Sequence, residues 1–304
     1  MARWFLSIRI LAMLCFCIWI HQTAALPFNL EPETSSLVVI GAHHFGHDAN
    51  DPLYENIKDL QWNSTLLVEA SPPIAKQLTK LVGQNNPTPN VPPNRVYVVS
   101  EGIIPGNRTT KPKMLNFYNF DADEIPGLPF WATQIGSFSR WHVLKLLPRL
   151  ADSRSAARYP YRYLRKHVKV MQVKVKPLAT MLSEQRVEKV GLMILDTEGL
   201  DCAIVASIGW ASYETCRWRP DILIFERSHC LRHEYDAARA ALLHAQPCPP
   251  HNRNGYRTSY VAVNEAHDNG NNAAFALKPV SVERERWLTA RWLSWLNGAP
   301  AAHT

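Results

Sequence analysis

The sequence predicts an α/β domain in which a mostly parallel sheet is covered by helices on both faces. Five short apolar runs are continuous rather than alternating, which is typical of strands buried on both faces. Helical segments separate several of these runs, and this strand–helix–strand rhythm indicates parallel pairing. A turn-rich segment near the C-terminus predicts an antiparallel edge hairpin. With 304 residues, 46% of them apolar, the chain can bury a core of this size.

Each element follows from a stretch of sequence. The predicted strands are LVVI (37–40), TLLVEA (65–70), RVYVVS (95–100), VGLMILD (190–196) and DILIFE (221–226). Helices are expected over 74–83, 177–187 and 199–209. The runs 257–264 and 273–278 flank HDNGNN (267–272) and predict the hairpin. A last helix is expected over 282–297, because Ser281 can cap it and Gly298 can end it.

Residues 1–25 have the layout of a secretory signal peptide. Arg3 precedes an apolar run over 10–20, and the small residues Thr23 and Ala25 suit cleavage before Leu26. This layout predicts the lumen of the endoplasmic reticulum or Golgi, or secretion. An uncleaved signal anchor is the alternative and would make the chain a single-pass membrane protein. Two glycosylation sequons, at Asn63 and Asn107, are compatible with a lumenal route and a glycoprotein.

Four cysteines remain beyond the predicted cleavage site. They are Cys202, Cys216, Cys230 and Cys248. In an oxidising lumen they permit two disulfides in three pairings, and the sequence alone does not choose among them. No pair has C-x-x-C spacing, so the sequence predicts no metal site.

The segment 101–168 is predicted to be long and irregular, because six prolines interrupt it. Over 140–176 there are eleven Lys and Arg residues and a single acid, Asp152. A solvated face is the plain interpretation of such a basic stretch. The alternative is a surface for an anionic acceptor, such as a uronate- or sulfate-bearing glycan; nucleic acid is not an expected partner in this compartment.

Glycines and an acid follow the first two predicted strands. Gly41 and Gly46 would let the backbone approach a ligand closely, and the helix that follows would offer its N–H groups. Glu69 ends the second strand, where a carboxylate can accept hydrogen bonds from both ribose hydroxyls. The G-x-G-x-x-G fingerprint is absent, which disfavours an NAD-linked oxidoreductase.

The most specific pattern is LMILDTEGLD (192–201), a buried strand followed by an acidic loop. With the downstream DILIFERSH (221–229) and Gly255-Tyr256, it resembles the FkbM family of S-adenosylmethionine-dependent methyltransferases. The family signature falls on Asp196, Glu198, Gly199, Asp201 and Glu226. The resemblance covers most of residues 37–278. It implies a Rossmann-like, seven-stranded class I methyltransferase domain over 26–280, with a basic insertion at about 101–176 and a C-terminal helix and tail over 281–304.

The resemblance also implies a site. Gly41, Ala42 and Gly46 would hold the amino-acid part of S-adenosylmethionine, and Glu69 its ribose. Asp196 would lie near the methyl group that is transferred to an acceptor hydroxyl. The candidate bases are His142, Asp196, Glu198 and His229. Glu198 may instead only brace its loop, and a lone histidine such as His229 is more often a packed or surface residue.

One departure from the family pattern concerns the first strand. Val39 stands where the family has an acidic residue that holds the cofactor or orders the following loop. Asp48, His43 or His44 could substitute for it. Alternatively, the chain could be a catalytically inactive, methyltransferase-like module that binds glycan or protein.

Overall fold

The computed structural model describes residues 34–43, 45, 62–84, 95–106, 113–122, 125–128, 130–151, 159–208, 218–245, 260–265 and 272–277. Outside them lie the signal segment 1–25, His44, Gly46, Asp48, Asn107, Cys216, Cys248, Gly255-Tyr256 and the expected helix 282–297. Within the described ranges, no helix combines the length and apolar character needed to cross a bilayer.

The predicted α/β class with a parallel sheet is confirmed. In chain order the strands are β1 (Ser36–Ile40), β2 (Ser64–Val68), β3 (Val96–Val99), β4 (Gly102–Ile104), β5 (Lys113–Phe120), β6 (Gly136–Ser137), β7 (Val168–Pro177), β8 (Val190–Leu195), β9 (Ile222–Glu226), β10 (Tyr260–Glu265) and β11 (Asn272–Leu277). The helices are α1 (Pro72–Gln84), α2 (Arg140–Ala151), α3 (Tyr161–Leu164), α4 (Leu178–Glu184), α5 (Asp201–Ser207) and α6 (Arg232–Leu243), with 3-10 turns at Phe130–Gln134 and Arg165–His167.

The larger sheet has the strand order β10-β11-β9-β8-β1-β2-β3. The five strands from β9 to β3 run parallel. The hairpin of β10 and β11 is antiparallel, and β11 pairs antiparallel with β9. All five apolar runs and the hairpin were therefore predicted correctly. Because parallel strands all point the same way, the loops after β1, β2, β3, β8 and β9 meet at one edge.

The core lies on both faces of this sheet. Every residue of β1 and β8 is buried, as continuous apolar runs require. On one face, α4, α5 and α6 pack with residues such as Met181, Val205 and Leu242, which are fully buried. Each such side chain contributes about 1.5–3 kcal/mol through removal of apolar surface from water.

The prediction of an irregular segment over 101–168 was wrong. This region and β7 form a second, four-stranded sheet in the order β4-β7-β5-β6. β5 pairs antiparallel with β7 from Lys113↔Val175 to Phe120↔Val168. The sequence indicates β7 by the alternation of apolar and basic residues along it. Val173 and Val175 are buried, while Lys174 between them is exposed. The high lysine and arginine content drew attention to charge and away from this two-residue period.

Candidate functional site

A cleft lies at the carboxyl ends of β1, β2, β3 and β8. This position is where open α/β sheets bind ligands. The small sheet contributes the facing wall through β4, β5 and β6. Residues that line the cleft include Gly41, His43, Glu69, Ser71, Glu101, Phe117, Asn119, Gln134, Phe138, Asp196, Thr197 and Glu198.

The turn after β1 depends on Gly41. Its φ is +79°, and a Cβ on Gly41 would lie 1.7 Å from the backbone oxygen of Asp196. The Gly41 N–H donates to the carbonyl of Val68, so the turn is held to β2 as well. The sequence predicted this glycine as a point of close approach to a ligand. The structure shows that the end of the neighbouring strand already requires it.

Glu69 is buried at the end of β2, with 6% of its surface exposed within the cleft. Its Oε2 accepts from the His43 N–H at 2.8 Å, and its Oε1 accepts from the Ser71 N–H at 2.7 Å. Glu69 therefore orders the loop after β1. Each carboxylate oxygen has a second lone pair, which can accept a further hydrogen bond. The neighbouring Ser71 hydroxyl is buried and has no hydrogen-bond partner.

Val39 is buried in β1 and takes no part in the cleft. The loop that a family acid would order from this position is instead tied to Glu69 through His43. His43 Nε2 also lies 3.4 Å from the carbonyl oxygen of Thr133, which connects the loop to the 3-10 turn before β6. The backbone and the ring of His43 thus hold the turn after β1 to Glu69 and to Thr133.

The signature loop after β8 is held by Asp201. Asp201 is fully buried at the start of α5, and its carboxylate accepts from the N–H groups of Thr197 at 2.9 Å and Gly199 at 3.3 Å. Burial raises the pKa of Asp201 from 3.8 to about 6, although the hydrogen bonds from Thr197 oppose this shift. Glu198, between them, has a positive φ of 54°, which turns its side chain within this tight loop.

Asp196 lies on the floor of the cleft. Asp196 is exposed, and it lines the cleft beside Thr197 and Glu198. Desolvation raises its pKa well above 3.8, and the negative charges of Glu226, Glu198 and Asp201 raise it further. A carboxyl group with a raised pKa is a stronger base when ionised, which suits proton removal from a hydroxyl.

Two histidines, His142 and His229, contact the carboxylate of Glu198. His142, from α2, is 5% exposed, and its Nε2 lies 3.0 Å from Glu198 Oε2. His229 Nε2 lies 3.4 Å from the same oxygen and 3.1 Å from Glu226 Oε1. Burial lowers the pKa of His229, but its hydrogen bond to Glu226 and the nearby negative charge outweigh burial and raise it. His142 is not among the cleft-lining residues, so Asp196 and Glu198 are the candidate bases that face the cleft.

Glu101, which follows β3, was missed by the sequence analysis. Its carboxylate pairs with Lys174 at 2.7 Å and Lys176 at 2.6 Å, and it lines the cleft. Lys176 is 2% exposed and also bonds Glu184. Burial lowers the pKa of Lys176, but the hydrogen bonds to these two acids raise it overall. The sequence does contain a sign of Glu101 as a site residue. It is an acid just after the third predicted strand, as Glu69 and Asp196 are acids at the ends of the second and fourth.

One disulfide is present among the described residues. Cys202, in α5, is bonded to Cys230, just after β9. It is among the pairings that the four cysteines allow. Because Cys202 adjoins Asp201 and Cys230 adjoins His229, this bond joins the two segments that carry the acidic and histidine side chains of the site.

The fold and the acidic loops at one sheet edge define a methyltransferase-type α/β domain. The family model described as the methyltransferase FkbM domain matches residues 40–258. The chain therefore belongs to the FkbM methyltransferase family, and the resemblance predicted from the signature around Asp196 is confirmed. Among curated proteins, none matches the chain significantly.

Proposed function

We propose that the protein is an S-adenosylmethionine-dependent O-methyltransferase that acts on a hydroxyl of a glycan or related metabolite in the secretory pathway. The observation that carries the proposal is the placement of Glu69. Its buried carboxylate lies at the end of β2, inside the cleft and beside the Gly41 turn. An acid in this position is the recurring device for binding a ribose in nucleotide-binding α/β folds.

The cleft residues fit the cofactor in type and position. The strand order of the larger sheet, with one antiparallel strand next to β9, supports the Rossmann-like class I methyltransferase fold. Gly41 and Ala42 would hold the amino-acid part of the cofactor, and Glu69 its ribose. The unpartnered hydroxyls of Ser71 and Thr197 offer further hydrogen bonds to a polar ligand.

When bound, S-adenosylmethionine supplies a methyl group whose carbon–sulfur bond breaks, with both electrons kept by sulfur, as a carbon–oxygen bond forms to the acceptor. The protein must orient the acceptor hydroxyl and take its proton. Asp196 faces the cleft and receives that proton in this proposal. Glu198 lies beside it, and His142 positions Glu198 through the contact between its Nε2 and Oε2.

Two features support the acceptor and the compartment. The Cys202–Cys230 disulfide favours an oxidising lumen. The predicted basic stretch presents exposed basic side chains, among them Arg162, Arg165, Lys166 and Lys169, and these suit an anionic acceptor. Lys174 and Lys176 do not belong to this surface role, because both pair with Glu101.

An inactive binding module is the competing function, and it rests on Val39. An assay of methyl transfer separates the two. Purified full-length protein is incubated with isotope-labelled S-adenosylmethionine and a panel of neutral and acidic glycans. We expect label in at least one acceptor, and a loss of at least about a hundredfold in rate for Asp196→Asn at an almost unchanged melting temperature. Glu188→Gln, which changes an exposed acid outside both the signature and the cleft, is the matched control.

No transfer to any acceptor, together with no cofactor binding, would support the module instead. Wild-type turnover by Asp196→Asn would remove this residue from the reaction.

A further inference from the structure

Two histidines and two glutamates converge beside the cleft. They come from α2 (His142), the loop after β8 (Glu198), the end of β9 (Glu226) and the turn after it (His229). His142 Nε2 lies 3.0 Å from Glu198 Oε2, and His229 Nε2 lies 3.4 Å from it. His229 Nε2 is also 3.1 Å from Glu226 Oε1. The ligand-type atoms of His142, Glu198 and His229 all lie within 4.8 Å of one another, and Glu226 adjoins them through His229.

We propose that this cluster binds one divalent transition-metal ion, with His142 Nε2, Glu198 Oε2 and His229 Nε2 as its protein ligands. Ligand atoms about 2.1 Å from a metal lie about 3.0–3.4 Å apart in an octahedral or tetrahedral shell. Glu198 Oε2 lies 3.0 Å from His142 Nε2 and 3.4 Å from His229 Nε2, which matches these edges. A set of two imidazoles and one carboxylate suits zinc, iron and manganese.

A second observation is that two buried polar atoms of the cluster have no hydrogen-bond partner. They are Glu226 Oε2 and His229 Nδ1. Oxygen atoms of Asp196, Glu198 and Glu226 lie within 4.8 Å of one another.

The charged groups around the cluster favour a cation. Three carboxyl groups, those of Asp196, Glu198 and Glu226, lie close together beside the two imidazoles. Lys145 is close enough to act on the charge of His229, but it contributes one positive charge. A divalent ion would offset the negative charge of these carboxyl groups. The cysteine pattern gave no sign of this site, because its ligands are two histidines and one carboxylate from three separate segments.

The coordination shell of the proposed ion would have an open position on the side of the cleft. Glu198 lines both the cluster and the cleft, and Asp196 lies on the cleft side. If the proposed methyl transfer holds, an acceptor oxygen could occupy an open position of the ion and be held beside Asp196. This role rests on the proposed function, whereas metal binding itself rests only on the cluster.

The test is metal binding by the full-length protein. The protein is treated with chelator, dialysed, and titrated with Zn²⁺ alone and, in parallel, Mn²⁺ alone, with bound metal measured after equilibrium dialysis. We expect one ion per chain for at least one of these metals. His229→Gln and Glu198→Gln should each weaken binding by at least about tenfold. His233→Gln and Glu188→Gln change an exposed histidine and an exposed glutamate outside the cluster, and should leave binding unchanged.

Binding of neither metal, or equal binding by the cluster variants, would overturn the proposal. X-ray absorption by the wild-type protein loaded with the metal that binds gives a test that needs no variant. Imidazole scattering from two histidines is expected, and a spectrum without it contradicts the site. Full cofactor binding without metal binding would reject the metal site alone. Metal binding without cofactor binding would reject the proposed function alone.

Discussion

The backbone of Gly41 packs directly against the backbone carbonyl of Asp196, so that a Cβ on Gly41 would lie 1.7 Å from that oxygen. This relationship joins the end of β1 to the end of β8. The first turn of the cleft and the acidic signature loop are therefore fixed relative to each other by backbone packing. The sequence predicted Gly41 as a ligand-binding glycine. The structure shows that this position requires glycine for backbone packing, with or without a ligand.

We predict that Gly41→Ala destabilises the protein by more than about 3 kcal/mol. The new methyl group would overlap backbone that cannot move aside easily, and the φ of +79° is unfavourable for alanine. Gly83→Ala in α1 is the control, because a Cβ there meets nothing within 4 Å. It should leave stability unchanged or raise it by up to about 1 kcal/mol. Urea unfolding measures both, and equal midpoints for the two variants would refute the packing argument.

The Cys202–Cys230 disulfide should contribute about 3–4 kcal/mol to the free energy of unfolding. The two cysteines are 28 residues apart, and closing a loop of this length restricts the unfolded chain by about that amount. The double variant Cys202→Ser/Cys230→Ser should lose this stability, and a reductant should destabilise the wild-type protein by about this amount more than the double variant. If the reductant lowered the unfolding midpoint of both proteins alike, the effect would not come from this bond.

The buried carboxyl of Asp201 should make stability fall as pH rises from about 4 to 6. Its pKa is about 6 in the folded protein and close to 3.8 when unfolded, so the folded state binds the extra proton in this window. Linkage gives a loss of about 3 kcal/mol across the window. Asp201→Asn stays neutral and should lack this slope, whatever its absolute stability.

The measurement is urea unfolding at several pH values between 4 and 7 in chelator-containing buffer. Other acids titrate in both proteins, so the difference between the two curves reports Asp201 together with its effect on the neighbouring Asp196. Asp236→Asn, an exposed acid in α6, serves as the control and should follow the wild-type slope. Parallel curves for wild type and Asp201→Asn would show that the buried carboxyl is not protonated at these pH values.

The exposed basic side chains around α3 should matter only for an anionic acceptor. Screening at about 0.1 M salt limits such attraction to roughly 10 Å, so apparent KM for an acidic glycan should rise steeply with salt. The variant Arg162→Gln/Lys166→Gln should have a higher KM at low salt and a weaker salt response. KM for a neutral acceptor should not change. A flat response with the acidic acceptor would leave this segment as ordinary solvated surface.

The main sheet could be predicted from sequence because its strands are buried on both faces and appear as unbroken apolar runs. The small sheet could not, since β5 is exposed along much of its length and β7 alternates valine with lysine. Glu69 and Asp196 were found because each directly follows a buried strand. Phe117 in β5 and Phe138 just after β6 line the cleft and pack edge to face, with ring centroids 5.1 Å apart. The sequence did not reveal them, because the small sheet was not predicted.

The histidines illustrate a different limit. His142 and His229 were both noted as candidate bases, but nothing local in the sequence indicates that their rings meet at 4.3 Å. That contact depends on α2, which lies between β6 and β7 of the small sheet and returns to the ends of β8 and β9. Long-range placement of this kind requires the fold of the insertion, which composition and prolines did not reveal.

The central claim is that the cleft binds a nucleoside cofactor through Glu69, and calorimetric titration with S-adenosylmethionine tests it most directly. We predict micromolar binding to the wild-type protein and to Glu188→Gln. Glu69→Ala should show no measurable binding, and Glu69→Gln, which keeps one acceptor oxygen, should be weakened while its melting temperature shows that it is folded. Wild-type affinity in folded Glu69→Gln and Glu69→Ala, or no heat of binding in the wild-type protein itself, would contradict the account.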